Sequence, residues 1–224
     1  MEYMRTLPDK AFDLAIVDPP YGINAPNMQM GNNAPSRNGK ASVTVRLKKG
    51  RLTSAGGKLK DRLLNNSEIE WDYSAPPKEY FIELERVSKN RIIWGGNYFD
   101  LPPTRCVLCW DKCQPWENFS QWEMAWTSFD YPAAIFKHSN TGGNPEKMDK
   151  IHPTQKPERL YRWLLSKYAK PGDRILDTHL GSGSIAVACD QLGFDLVGCE
   201  LDQDYYNAAC KRLKDHQSQL KLFM

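Results

Sequence analysis

The stretch DRILDTHLGSGSIAVACDQLGFDLVGCELD, Asp173 to Asp202, decides the fold. RILDTHL reads as a buried strand, SIAVACDQL as a helix closed by Gly193, and DLVGCEL as a second strand. Gly181 and Gly183 stand where the first strand turns into the helix, so the backbone can approach a ligand with no side chain in the way. With Ala186 they complete a Gly-x-Gly-x-x-Ala pattern. Glu200 ends the next strand about twenty residues after Gly181, the spacing of a carboxylate that grips ribose hydroxyls. The unit reads as half of a nucleoside-binding sheet; the bland alternative is a glycine turn with a capping acid.

Working outward, strand-like and helical runs alternate along the chain. FDLAIVD is a buried strand, and PPKEYFIELERVSK a helix with Tyr80, Phe81, Leu84 and Val87 on one face and Pro77 in its first turn. RIIWGG and RCVLCWDK are strands, and WEMAWTSF and YPAAIFKH are a strand pair connected through Asp130. PERLYRWLLSKYA is a helix ended by Pro171-Gly172, and a last helix runs through DYYNAACKRLKDH. Alternation of this kind predicts an α/β fold, an open and mainly parallel doubly wound sheet with helices on both faces, in a single domain over 1–224. Ligands of such sheets bind beyond the carboxyl ends of the strands, where neighbouring crossovers leave to opposite faces. Only one helix follows Glu200, so no second nucleotide-binding half follows it. The other half of the sheet must come from the N-terminal part, which favours a mononucleoside cofactor such as S-adenosyl-L-methionine over a dinucleotide. Its ammonium is a group that Asp177 can receive.

The chain has 224 residues and is 41% hydrophobic, enough for one substantial core. No apolar run approaches the ~20 residues that span a bilayer, and Met1 to Lys10 lacks a signal-peptide core, so a cytoplasmic protein with no membrane partner is expected. The six cysteines are scattered through predicted strands and helices, as for reduced thiols. Cys106 and Cys109 are an odd number of residues apart in a strand and face opposite ways, which argues against a zinc knuckle with Cys113; no metal is expected. The net charge of +3 is local in origin. Between Ile23 and Lys60 lie eight Lys and Arg and no Asp or Glu, and removing those eight charges turns +3 into −5. The segment 23–68 is accordingly predicted to be a mobile basic loop ordered by a polyanion, which the resemblance given below makes DNA, with Arg37, Lys40, Arg46, Lys48, Lys49 and Arg51 as its contacting cations.

FDLAIVDPPYG, Phe12 to Gly22, starts as a strand and stops at two prolines, with an acid before them and an aromatic after. By resemblance to amino-methylating DNA methyltransferases, this corner implies an adenine amino group as substrate, a poor nucleophile because its lone pair is delocalised into the ring. Acceptors on both of its hydrogens pull the nitrogen towards a pyramidal shape. Asp18 and the carbonyl of Pro19 can supply them, Pro19 and Pro20 make the turn rigid and remove N–H donors, and Tyr21 offers a flat face for an extracted base. A plain rigid turn is the bland alternative. HPTQKP, at 152–157, stands at the entry to the helix beside the predicted cofactor strand.

In their order, DPPYG, RIIWGGNYF, WDK, FSQWEMAWTS, HPTQKP, DTHLGSGS and GCELD resemble the amino-methylating DNA methyltransferases of the permuted group, in which the catalytic motif precedes the cofactor motif, and in particular the small adenine-specific enzymes of phages and prophages. The resemblance covers nearly the whole chain. It implies a Rossmann-like methyltransferase fold, S-adenosyl-L-methionine as cofactor, duplex DNA as substrate, and methyl transfer to the exocyclic amino group of adenine after base flipping. It assigns catalysis to Asp18, Pro19, Pro20 and Tyr21, and cofactor binding to Asp177, Thr178, Gly181, Ser182, Gly183 and Glu200, with Thr154 and Lys156 at the methionine end. A homodimer and a cognate restriction enzyme are partners the resemblance admits and the sequence does not select. The chain departs from the pattern in two places. It starts at Met1, after the position of a short acid-ended strand that such enzymes usually carry, and Asp177-Thr178-His179-Leu180 stands where Asp-Pro-Phe is common. His179 reads as a polar turn residue, and Glu123 equally as a strand-edge acid or a substrate-side group. Two alternatives stay open: the 4-amino group of cytosine as target, and a nucleic-acid-binding protein that keeps the fold without turnover.

Overall fold

A computed structural model describes residues 1–23, 72, 74–114, 120–139, 151, 152 and 154–220. The segment 24–71, which carries Arg37, Lys40, Arg46, Lys48, Lys49 and Arg51, lies outside the described residues. The elements in chain order are α1 (Glu2–Arg5), β1 (Phe12–Val17), α2 (Lys78–Val87), β2 (Ser88–Trp94), a short 3-10 turn (Gly96–Tyr98), β3 (Leu108–Asp111), β4 (Trp122–Thr127), β5 (Ala134–Lys137), α3 (Glu158–Tyr168), β6 (Arg174–Asp177), α4 (Ser184–Leu192), β7 (Asp195–Gly198) and α5 (Gln203–Leu220).

Among the described residues the strands form one seven-stranded sheet in the order β5-β3-β4-β2-β1-β6-β7. Only β4 runs against the rest: β2 and β3 pair with it antiparallel, and the other four pairings are parallel. The expected open, mainly parallel α/β sheet is therefore found. One local expectation is corrected. β4 and β5 are not neighbours, because β3 lies between them, antiparallel to β4 and parallel to β5. The segment through Asp130 crosses the end of β3, where Asp130 meets Arg105 at 3.3 Å. Pro77 and Pro157 also stand one residue earlier than expected, at the N-caps of α2 and α3 rather than in their first turns. Their carbonyls accept from the N–H of Tyr80 and Leu160, so the missing proline donors cost nothing there.

The strand period of two divides the core into two layers. Leu14, Ile16, Ile92, Trp94, Trp110 and Ile175 face Leu160, Leu164 and Leu165 of α3 and Ile185 and Ala188 of α4. Ala15, Val17, Ile93 and Leu176 face Tyr80, Leu84 and Val87 of α2 and Met4 of α1. The crossover from β1 to β2 thus runs through α2 on one face, and that from β6 to β7 through α4 on the other. β1 and β6 are adjacent, with Leu14 opposite Ile175 and Ala15 opposite Leu176. Asp18 and Asp177 stand at their carboxyl ends, where sheets of this kind hold ligands in a crevice. No helix among the described residues is long and apolar enough to cross a membrane.

Candidate active site

Asp18 follows β1 in the period of Leu14 and Ile16, which directs it to the α3 face. Its Oδ1 accepts the Tyr21 hydroxyl at 2.7 Å, and its Oδ2 accepts the Lys156 ammonium. Pro19 is buried and Pro20 half-buried. The two N–H groups that follow the prolines, those of Tyr21 and Gly22, both donate to Oδ1 of Asp72, at 2.7 and 2.9 Å. Asp72 is 2% exposed and lies 51 positions after Tyr21, so one buried carboxylate fastens the corner that the prolines stiffen. The Tyr21 ring stacks on Tyr98 with centroids 4.8 Å apart and 13° between planes, and meets Phe99 edge-on. Gly95, at φ +69°, makes this possible: a Cβ there would lie 2.2 Å from the Tyr21 ring.

Across the crevice, Asp177 ends β6 and is 2% exposed. Burial pushes its carboxyl up to about 7 against the opposing effect of the His179 N–H, which donates to Oδ1 at 2.9 Å; the charges of Asp18 and Glu200 raise it further and Lys156 lowers it. Thr178 places its hydroxyl 2.6 Å from that of Tyr80 and 3.0 Å from Nδ1 of His179, whose imidazole burial lowers to about 4 and so keeps neutral. His179 is a turn residue, as expected, anchored to α2 through Thr178. Glu200 spends both oxygens on backbone: Oε2 accepts from Gly181 at 2.7 Å, and Oε1 from Leu201 and Asp202 at 2.9 and 3.0 Å. Ser182 is buried with its hydroxyl 3.0 Å from that of Ser184, and Gly183 adopts φ +67° beneath Ala209 of α5. Arg212 of α5 binds the Ser182 carbonyl and the Ser184 hydroxyl, each at 3.0 Å, and pairs with Glu158 at 2.5 Å, tying together the N-termini of α3 and α4.

The hexapeptide before α3 joins the two sides. His152 packs its ring about Gly181, where an added Cβ would lie 3.7 Å from it, and also contacts Tyr205. Thr154 is exposed, and its hydroxyl lies 3.1 Å from Nδ1 of His152 and orients that ring. Pro153 lies outside the described residues. Lys156, with a side chain 3% exposed, reaches Asp18 and, at 3.1 Å, Glu123. Burial opposes its charge, but the two carboxylates outweigh burial and raise its pKa. The residues the sequence did not single out are Asp72, His152, Tyr98, Lys112 and Arg212. Each is one ordinary residue in its own element, and its role appears only once the elements meet.

Residues 93–211, which hold HPTQKP, the glycine turn and Glu200, match the family model described as DNA methylase, N6_N4_Mtase. The chain belongs to this family. The chain is 24% identical to the type II methyltransferase M.HinfI of Haemophilus influenzae over 249 aligned positions, 96% of this chain and 66% of the relative. It is 39% identical to the type II methyltransferase M2.DpnII of Streptococcus pneumoniae over 156 positions, 68% of this chain and 52% of the relative. The chain thus spans between about half and two thirds of the length of these curated relatives. Its fold is shared with the M1.HpyAVI–SAM complex, at TM-score 0.55 and 20% identity over 94% of this chain and 92% of that one. It is shared too with PvuII DNA methyltransferase (cytosine-N4-specific), at TM-score 0.52 and 11% identity over 96% of this chain and 88% of that one.

Proposed function

We propose that this chain is an S-adenosyl-L-methionine-dependent DNA methyltransferase acting on the exocyclic amino group of adenine in duplex DNA after base flipping. The observation that carries the reading is that the Asp18 corner and the Asp177 glycine turn follow two adjacent strands, with a single hexapeptide touching both through Lys156 and His152. The residues fit the cofactor. Asp177 is a buried carboxylate with no ion-pair partner among the described residues, which suits an ammonium. Glu200 keeps acceptor capacity beyond its three backbone bonds for a ribose hydroxyl. When bound, the cofactor supplies a methyl group already activated by its sulfonium. What remains for the protein is positioning. Tyr21 stacks the base, Asp18 and the Pro19 carbonyl accept its two amino hydrogens, and Asp18 is placed to receive the one proton that the nitrogen sheds as it gains the methyl group. Asp before the Pro-Pro pair favours adenine by resemblance.

Duplex DNA incubated with methyl-labelled cofactor tests this. Label in N6-methyladenine is the expected outcome. Label in 4-methylcytosine would reassign the base, and tight DNA binding without label would leave a binding protein that keeps the fold.

Asp177 gives the cofactor step a pH signature. Below about pH 7 its carboxyl is mostly protonated in the free protein, and an ammonium binds the anion, so binding must expel a proton there. The dissociation constant of S-adenosyl-L-methionine is expected to rise several-fold from about pH 7.5 to pH 6 as Asp177 takes up its proton, and to rise again above about pH 8 as the ligand's own α-amino group, ordinarily at about 7.7–8.0, loses its charge. Calorimetric titration in buffers of different ionisation heat measures both the constant and the proton; a constant flat across this range would exclude Asp177 as the ammonium partner.

The basic segment 23–68 is proposed to hold DNA phosphates at the mouth of the crevice, because it leaves directly from Tyr21 and Gly22. Replacing Arg37, Lys40, Arg46, Lys48, Lys49 and Arg51 by Gln is expected to lower the slope of log affinity against log salt by about 0.9 for each phosphate that is no longer neutralised. An unchanged slope would remove this segment from the DNA interface.

A further inference from the structure

We infer that Glu123, backed by Lys112, is a positioning residue for Asp18 that acts through the shared ammonium of Lys156. This rests on the reading of Asp18 as the acceptor for the base amino group.

The register of the sheet places these groups. β4 lies between β2 and β3, with Glu123 opposite Trp110 and Ala125 opposite Trp94. Cross-strand partners share a face, as do residues two apart, so Trp110, Glu123, Ala125 and Trp94 all point towards α3. A carboxylate between two core tryptophans is costly unless paired. Glu123 is paired on both sides: with Lys112 at 2.6 Å and with Lys156 at 3.1 Å. Each ammonium also lies on an indole face, Lys112 at 5.4 Å from Trp110 and Lys156 at 5.2 Å from Trp94. With apolar rings on that side, the cations are directed at the carboxylates.

The result is a ladder of alternating charge, Lys112, Glu123, Lys156 and Asp18, from β3 across β4 and the entry of α3 to the corner after β1. It is neutral as a set and ends on the residue that meets the base. Stability alone does not account for it, since buried ion pairs are commonly replaced by apolar side chains without loss. The arrangement does account for a working acceptor. Were Asp18 the only anion beside Lys156, the two would form a closed, neutral pair with little left for an amino group. Glu123 draws part of the ammonium's charge away, and Lys112 limits how much. Among the described residues, the other titratable groups around the ladder are Tyr21 at the corner, Tyr161 on α3 and Asp177 on β6; burial holds both phenols neutral.

The test uses two substitutions with opposite charge effects in the full chain. Glu123→Gln keeps the shape and removes an anion, so Asp18 becomes a weaker acceptor. Its kcat is expected to fall about 10- to 100-fold, with KM for DNA and cofactor within about twofold, and both limbs of the kcat–pH profile are expected to move to lower pH. Lys112→Gln removes a cation from the far end and is expected to move both limbs to higher pH. Damage to packing has no reason to reverse sign between the two variants, and the second remains informative should the first fail to fold. Unaltered kcat and pH profile in both variants, with the parent protein active, would overturn the positioning role alone. Absence of methyl transfer by the parent protein would overturn the functional reading and the positioning role with it.

Discussion

Asp18→Ala is expected to lower the rate of methyl transfer by about 10²–10³-fold, the usual cost of removing one preorganised partner of a developing charge. The amino nitrogen becomes positive as the methyl group arrives, and Asp18 is the anion at the end of β1 beside it. Cofactor binding should persist, because the groups assigned to it, Asp177 and Glu200, make their hydrogen bonds to backbone N–H groups of their own turns. The variant should also fold, since Lys156 keeps Glu123 as a partner at 3.1 Å. Single-turnover transfer with preloaded cofactor separates chemistry from binding. A rate within tenfold of the parent's would show that Asp18 is not the acceptor.

The second large effect concerns stability. Lys156→Met leaves the carboxylates of Asp18 and Glu123 facing each other across an apolar side chain, with side chains only 19% and 24% exposed. Breaking a buried ion pair by removing one member costs about 3–5 kcal/mol, and Lys112, which still holds Glu123, keeps the expected loss near the lower end. The sign with pH follows from Glu123. In the intact protein the charges of Lys156 and Lys112 overcome burial and hold its carboxyl down to about 2, so it contributes stability above the ordinary carboxylate range, and this is lost as pH falls towards 2. The gap between parent and variant should be widest near pH 7 and narrow below about pH 4. Urea unfolding at both values measures it. A gap of equal size at both would mean that poorer packing, rather than charge, causes the deficit.

The fold was legible because each of its signals is local. Leu14 and Ile16 alternate with Ala15 and Val17, the period of a strand buried on both faces, and Gly181 and Gly183 mark the turn that binds a nucleoside in sheets of this kind. The place of β5 was not legible, since YPAAIFKH announces a strand and nothing in it says that β3 will come between it and β4. The rigid corner after β1 could be read in DPPY because proline restricts the backbone whatever surrounds it. Asp72, which fastens that corner, is one acid among many, 51 positions away from Tyr21. The charge ladder was hidden for the same reason. It takes one residue from each of four places, and Glu123 read alone is equally a strand-edge acid or a substrate-side group until the pairing of Trp110 with Glu123 turns it to the buried face. Resemblance implies a place for Lys156 at the methionine end; its ammonium here is hydrogen-bonded to Asp18 and ion-paired with Glu123.

The central claim is that the corner after β1 and the glycine turn after β6 form one reaction chamber. A crystal structure of the chain with S-adenosyl-L-methionine tests it most directly. The expected result has the nucleoside over Gly181 with its ribose at Glu200, the ammonium at Asp177, and the sulfonium methyl directed at the space between Asp18 and Tyr21. Cofactor in another cleft, or a methyl group turned away from Asp18, would contradict it.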